Sequence, residues 1–417
     1  MATYASSKIA QLQMKEQSAW NTPADMTSGT KILQCEIPSF DFPTELLEVD
    51  SIRSGFFSPA PIAGARSGGT LTFKMRAHGW SSAGASGISG APTEHADAML
   101  LKYALGASLI DNYTTELGSG STTTNVKVGD GSSAGMSAGA GIIVPSSASA
   151  GEYNLGVIKS ADGTPDPEEL TMAYPIQEAV SSSGTIFGTN TVYLSTACTP
   201  LTFLWQGQNT GQYYTLSDCV IESATIATAP AGHLEIDYSV KVGNWSQTPA
   251  GAGTVAYDVT DPYLPVAIGR SGGSLCTTTG SANTELPIGD LSITITNTLI
   301  EARQFSASEG IAQYILSDRN VSLSMSIPST DALTASAWAD LVGTTGDALR
   351  YELGNTPGKM FGIYIPAPFY KSVTAEDQGG LHGLSVEFGV GNYSGDTAIQ
   401  SPTAEATANT DFRIFFG

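Results

Sequence analysis

Apolar and polar residues alternate with period two in five stretches of this chain. In Thr70–His78, Leu71, Phe73 and Met75 share one side, and Thr72, Lys74 and Arg76 the other. His233–Val242 sets Leu234, Ile236, Tyr238, Val240 and Val242 against Glu235, Asp237, Ser239 and Lys241. Leu291–Leu299 sets Leu291, Ile293 and Ile295 against Ser292, Thr294 and Thr296. Val321–Ile327 sets Val321, Leu323, Met325 and Ile327 against Ser322, Ser324 and Ser326. Leu384–Val390 does the same with Leu384, Val386, Phe388 and Val390, with Glu387 on the polar side. Neighbouring side chains on a strand point to opposite faces. Each stretch therefore predicts a strand with one buried and one wet face.

Two stretches have helical spacing instead. Thr93–Gly106 starts on a capping Thr, carries acids in its first turn, ends on Gly, and aligns Ala98, Leu101 and Leu105. Thr330–Gly343 repeats the design with Leu333, Ala337, Trp338 and Leu341. The order of elements repeats as well. A strand at 70–78 leads to the first helix, to strands near 201–206 and 219–228, and to the strand at 233–242. A strand at 321–327 leads to the second helix, to strands near 349–353 and 360–366, and to the strand at 384–390. The sequence predicts an internal duplication of structure, although the two halves share negligible identity.

Between residues 118 and 195 the chain is rich in Gly, Ser and Thr, yet apolar residues recur at strand spacing. Asn125–Val128, Gly141–Val144, Tyr153–Lys159, Leu170–Tyr174 and Thr185–Tyr193 predict a small inserted β-domain behind a flexible Gly/Ser entry. The expected division is 1–117 with 196–245 as one β-domain, 118–195 as the insert, and 246–417 as a second β-domain. Residues 1–66 are poorly periodic, which suggests an arm or long hairpin reaching a neighbouring copy.

Composition narrows the function. The 417 residues hold 18 Lys and Arg against 39 Asp and Glu, a formal net charge of −21. The acidity is spread over both halves, and a protein so charged repels nucleic acid. That excludes a DNA-gripping protein, but not a surface that DNA slides past. Only 14% of residues are charged, which suits β structure covered by neighbours. The spacing of Cys35, Cys198, Cys219 and Cys276 fits no zinc site, so they read as buried free thiols. The N-terminus lacks the apolar core of a signal peptide, and no apolar run is long enough to span a membrane.

Candidate chemistry is thin. Gly131–Gly135 matches G-x-S-x-G by letter, but it sits in low-complexity sequence without the strand and helix a nucleophile elbow needs. His78, His95, His233 and His382 stand singly. The acidic run Asp162, Asp166, Glu168 and Glu169 lacks the order of a calcium loop and contains Pro165 and Pro167. The Gly-rich stretch 129–141 has no G-K-[ST] for phosphate. No catalytic residue, metal or cofactor is expected, and the chain does not read as an enzyme.

A series of motifs falls in a recurring order. It begins with 14–25 (MKEQSAWNTPAD), 50–56 (DSIRSGF) and 67–73 (SGGTLTF), followed by the helix ending AMLLKYALG. Next come Cys219–Ser223, with Pro230–His233 ahead of the long alternating strand. Ile293–Asn297, Arg319–Val321, Met360–Pro366 and Asp411–Phe416 complete it. In this order the chain resembles the tail tube proteins of long-tailed bacteriophages, over most of its length outside the insert. The resemblance implies a mainly β protein: a duplicated tail-tube-type β-sandwich or barrel, a short helix flanking each half, and the inserted domain. It implies a structural virion protein, assembled in the host cytoplasm, whose rings stack into the conduit for DNA ejection. Its partners would be other copies of itself, the tail terminator, baseplate and tape measure proteins, and DNA in transit, with no membrane. Two tube folds per chain favour three chains per ring with pseudo-sixfold symmetry; one fold would require six. The insert is expected on the outside of the tube. The lumen wall is expected from Glu235, Asp237, Ser239, Thr294, Thr296, Ser322, Ser324, Ser326 and Glu387, with Lys74 and Arg76 held by carboxylates on a neighbour. A surface-layer or fibre adhesin and a tail terminator or baseplate component are the rival readings.

Overall fold

The computed structural model describes residues 10–48, 61–77, 96–247, 271–304, 311–328, 348–391 and 411–417, apart from a few short stretches within these ranges. The strands of the first part are β1 (Ala10–Glu16), β2 (Lys31–Leu33), β3 (Ser39–Asp41), β4 (Leu46–Glu48), β5 (Pro61–Ala63) and β6 (Gly69–Arg76), followed by helix α1 (Ala96–Leu105). Then come β7 (Gly106–Ile110), β8 (Thr114–Glu116), β9 (Asn125–Val128), β10 (Gly141–Pro145), β11 (Tyr153–Asp162), β12 (Glu168–Met172), β13 (Thr185–Gly188) and β14 (Asn190–Leu194). Next are β15 (Leu201–Gly207), β16 (Tyr213–Thr228), β17 (Glu235–Val242) and β18 (Asn244–Gln247). The last part holds β19 (Ser271–Cys276), β20 (Asn283–Leu286), β21 (Leu291–Arg303), β22 (Ile311–Pro328), β23 (Ala348–Leu353), β24 (Phe361–Ile365), β25 (Pro368–Asp377), β26 (His382–Val390) and β27 (Arg413–Phe416). The chain is mainly β, as the alternation predicts.

The largest sheet has 12 strands. Its centre runs β3-β6-β17-β16-β21-β22-β26-β25, antiparallel throughout. This row consists of two four-strand sets with matching register; the counterpart of β16 is β25, not the strand near 360–366 that the sequence pattern matched to it, since β23 and β24 belong to another sheet. Phe40, Leu71 and Val240 lie opposite one another across β3, β6 and β17; Ile293, Leu323 and Phe388 do so across β21, β22 and β26. Met75 faces Ile236 as Ile327 faces Leu384. Even the irregularities match: β16 bulges against β17 between Ile221 and Ser223, and β25 bulges against β26 between Tyr370 and Ser372. The sets join where β16 pairs with β21, Ile226 facing Ile293. No sheet boundary falls at 245/246; the two sets share one sheet.

The second sheet has seven strands in the order β20-β19-β23-β24-β27-β14-β7. One face, with Ile363, Ile365, Ile414 and Phe416, shares the main core with the large sheet. The other, with Met360, Tyr364 and Phe415, packs on the third sheet. Burial on both faces explains why β23, β24 and β27 are buried at every position instead of alternating. The third sheet, β8-β13-β10-β11-β12-β9, has a core of its own around Val126, Ile142, Val144, Leu170 and Ile186.

This third sheet is the insert, and it is docked instead of appended. Ile143, Leu155, Val157 and Phe187 bury against the middle sheet. A Cβ on Gly141 would strike Phe415, and one on Gly362 would strike Leu155, so the sheets touch at both glycines. The strand predicted at Thr185–Tyr193 divides at Thr189. β13 stays in the insert, β14 joins the middle sheet, and the Thr189 hydroxyl donates to the Gly141 carbonyl at 2.9 Å.

Helix α1 is buried almost all round; Ala98, Leu100, Leu101, Ala104 and Leu105 are fully covered. Each buried Leu contributes about 1.5–3 kcal/mol. Gly106, with φ 110°, ends the helix as the sequence predicts. The second expected helix, Thr330–Gly343, lies outside the described residues. So do His78, His95, His233 and Gly131–Gly135. Residues 10–41 differ from the predicted arm. β1 pairs with β15 along its whole length and buries Leu12 and Met14 in the chain's own core. Gln17 Nε2 donates to Asp218 Oδ1 at 3.2 Å, and the Asp218 amide donates back to Gln17 Oε1 at 2.6 Å. β4 and β5 pair only with each other among the described strands.

Candidate functional site

The outer face of the large sheet holds all nine residues predicted for the lumen wall. Cross-strand neighbours in an antiparallel sheet share a face, so the register gives rows. One row runs Glu235, Ala227, Ser292, Ser324, Glu387, Ser372 across β17, β16, β21, β22, β26 and β25. The next runs Lys74, Asp237, Thr225, Thr294, Ser322. A third runs Ser39, Thr72, Ser239, Ser223, Thr296, Asn320. Ser326 faces Ser385 one row beyond the first. Every alternate residue on these strands points into the core, so the face is fixed by burial: a one-residue slip would expose Ile226, Ile236, Ile293 and Leu323 together.

Small hydroxyls dominate this face, three of its lysines lie against carboxylates, and Arg76 is exposed opposite Glu235. Lys74 Nζ is 3.1 Å from Glu235 Oε2 and 3.7 Å from Asp237 Oδ1. The hydrogen bond to Glu235, followed by the charge of Asp237, raises its pKa. Lys241 lies 3.3 Å from Glu222, and Lys371 3.8 Å from Glu387. These pairs are partly exposed and so contribute little to stability. Their effect is electrostatic: each ammonium is masked by a carboxylate of the same chain. For Lys74 that carboxylate is on the adjacent strand of the same chain, where a neighbouring copy was expected to supply it, and Arg76 lies opposite the same Glu235.

Ser223, Thr225 and Asn320 belong to this face without having been predicted for it, and Ser292, predicted on the polar side of its strand, joins them. The bulge at Ile221–Ser223 shifts the phase of β16, so its alternation does not extrapolate through Glu222. Two shallow grooves open on the face. One is lined by Glu235, Ser292, Ser324, Ser326, Glu376 and Ser385, the other by Ser39, Thr72, Lys74, Thr225, Asp237 and Ser239.

Elsewhere the polar groups serve structure. Arg319 reaches from the β21·β22 hairpin to the C-terminal end of α1. Its Nη1 donates to the Leu105 and Ser195 carbonyls, its Nη2 to Ala197 O at 3.2 Å, and its Nε to Asn297 Oδ1 at 2.7 Å. Asn297 Nδ2 in turn donates to Ala104 O at 3.1 Å and Ile221 O at 2.8 Å. Burial pulls the guanidinium down to about 10, which still leaves it charged at neutral pH. Cys35, Cys198 and Cys219 are free thiols; burial pushes Cys35 up to about 12 and Cys219 well above its ordinary value. His382 is exposed at the start of β26. Asp162 faces Glu169 across β11·β12, and among the described residues no group of three or more His, Cys, Asp or Glu gathers as a metal site would require.

No protein-family model matches the chain, and no curated protein matches it.

Proposed function

We propose that the chain is a tail tube subunit of a long-tailed bacteriophage, a structural virion protein without enzymatic activity. Copies join edge to edge into rings, rings stack, and the hydroxyl-rich face lines the channel through which DNA leaves the particle. The observation that carries this reading is the pair of register-matched four-strand sets sharing one sheet. A row that has already added one set to another within a chain can go on adding sets between chains until the circle closes.

The face suits passage. Hydroxyls keep a hydrated wall, carboxylates repel phosphate, and paired lysines offer a polyanion little free positive charge. The insert lies on the far side of the middle sheet from this face, so it decorates the outside of such a tube. Two sets per chain support three chains per ring with pseudo-sixfold symmetry.

Electron cryomicroscopy of the purified chain at high concentration tests the reading. Hollow tubes with three chains per ring are expected; fibres or flat sheets would favour an adhesin or surface-layer protein. Six identical chains per ring would remove the two-fold count. Antibody labelling of virions separates a tube from a terminator or baseplate part, by staining along the whole tail against staining at one end.

A further inference from the structure

The two four-strand sets have matching register but unequal exposure, and the inequality is clear in two matched strand pairs, β16 with β25 and β21 with β3. β16 and β25 occupy the same place, each bulged against its neighbour. β16 is covered on its other edge by β21, and Ala224 and Ile226 are fully buried. β25 pairs only with β26 among the described strands. Its matching residues, Val373 and Ala375, are half-buried and exposed respectively.

A second difference points the same way. Val220 of β16 faces Lys241 just before the bulge, as Phe369 of β25 faces Gly389. Val220 is 3% exposed, because Ile311 and Tyr314 of the projecting β21·β22 hairpin bury it, with Leu299 packed alongside. Phe369 is 48% exposed. At the opposite end of the sheet, β3 matches β21 in register and, among the described strands, pairs only with β6. The β4·β5 pair lies between β3 and β6 in sequence, as the outer part of β21·β22 lies between the inner halves of those strands.

We propose that β25 of one chain pairs antiparallel with β3 of a second copy, in the register that β16 and β21 adopt within the chain. The inference deepens the ring reading above and rests on it. Carrying the internal pairs Thr225↔Thr294, Ile226↔Ile293 and Ala227↔Ser292 over to the matching strands gives Thr374 opposite Asp41, Ala375 opposite Phe40, and Glu376 opposite Ser39. Ala375 and Phe40 then lie on the core face, and the hairpin β4·β5 of the second copy covers Phe369. Charge disfavours one slip: a shift by two residues that sets Glu376 against Asp41 opposes like charges. A slip by one inverts the faces. The two edges differ, so the contact is head-to-tail and closes a ring only through rotation.

Paired cysteines in the full chain test this. Residues opposite each other on antiparallel strands lie about 4.5–5.5 Å apart at Cα, within disulfide reach. Under mild oxidation, S39C with E376C is expected to give interchain disulfides ending in a closed ladder of one ring. D41C with E376C, set for the slipped register, should give about tenfold less. Each single variant controls for the native thiols, and thermal melting of the reduced proteins confirms that folding is unchanged. Phe369→Lys should leave a folded chain that no longer assembles. Equal cross-linking from both pairs, or none in assembled material, overturns the register; a chain that stays monomeric at high concentration overturns the contact. Cross-linked rings that are absent from virions would sink the tail reading and leave this one standing. Tubes without the cross-link would do the reverse.

Discussion

β16 and β25 are the same strand in two settings. Both are antiparallel, bulged at matching positions and packed over matching core residues, yet one is a buried central strand and the other an edge. Their sequences reflect the settings. Ala224 and Ile226 on β16 are large or tightly enclosed where β25 offers Val373 and Ala375, while β25 ends in Glu376 and Asp377. Edge strands need protection from indiscriminate pairing, and acidic residues at the tip supply it. The comparison teaches that burial on this sheet is set by the neighbour a strand has, since register and bulge are shared.

The strongest way to break the comparison is to place the same charge at both positions. Ile226→Asp buries an unpaired carboxylate at the β16·β21 junction and should cost at least about 4 kcal/mol, seen as loss of the folded baseline in urea. Ala375→Asp should leave the denaturation midpoint of the isolated chain unchanged and weaken assembly; equal destabilisation by the two would show that β25 is not an edge. Next in size is Arg319→Ala. It strands the Ser195 carbonyl and takes the donor from Asn297 Oδ1, while the Leu105 carbonyl keeps the Ser195 amide at 2.9 Å; it should cost about 2 kcal/mol, with loss of helical circular dichroism in parallel. A smaller contrast comes from truncating the matched pair before the bulge. Val220→Ala should cost about 1–2 kcal/mol and Phe369→Ala close to nothing by calorimetry, although only the latter should reduce ring formation.

Changes on the wet face should barely touch stability. Glu235→Lys with Asp237→Lys unmasks Lys74 and adds two cations, so tubes should form while DNA ejection slows, with partial recovery at high salt. Ejection at the normal rate from tubes shown to contain the variant would take both residues off the lumen wall. Lys74→Ala is the smallest change, with no measurable shift of the midpoint expected at neutral pH. Its pKa is raised by folding, so whatever it contributes persists at and below the ordinary lysine range and fades only as pH rises through the raised value.

The wet-faced strands were legible in sequence because one side meets water and the other meets the core. Leu71, Phe73 and Met75 alternate with polar residues for that reason, and so do Ile236, Tyr238 and Val240. The middle sheet was harder to place. RIFF and FGIYI carry no alternation, since Ile414 and Phe415 are buried on opposite faces against different sheets. In β23 the polar pair Arg350 and Glu352 is buried 3.4 Å apart, with the guanidinium 4.8 Å from the Tyr174 ring of the insert. That is why residues 118–195 read as an appendage: the partners that dock them lie more than 150 residues further along the chain. β1 was misread for another reason. Gln11 is buried although polar, which hides the alternation of Leu12 and Met14.

Strand β27 sits between β14 and β24, matched to both, with Val192 and Ile363 each facing Ile414. It follows in sequence every strand it touches, so the middle sheet cannot close until this segment is made. Until then two apolar strand edges wait unpaired, and joining them requires closing long loops, a slow step that leaves sticky intermediates. Refolding from denaturant should therefore be slow and concentration-sensitive. The same arrangement ties folding to synthesis: a nascent chain lacks its central seam until synthesis has passed residue 416.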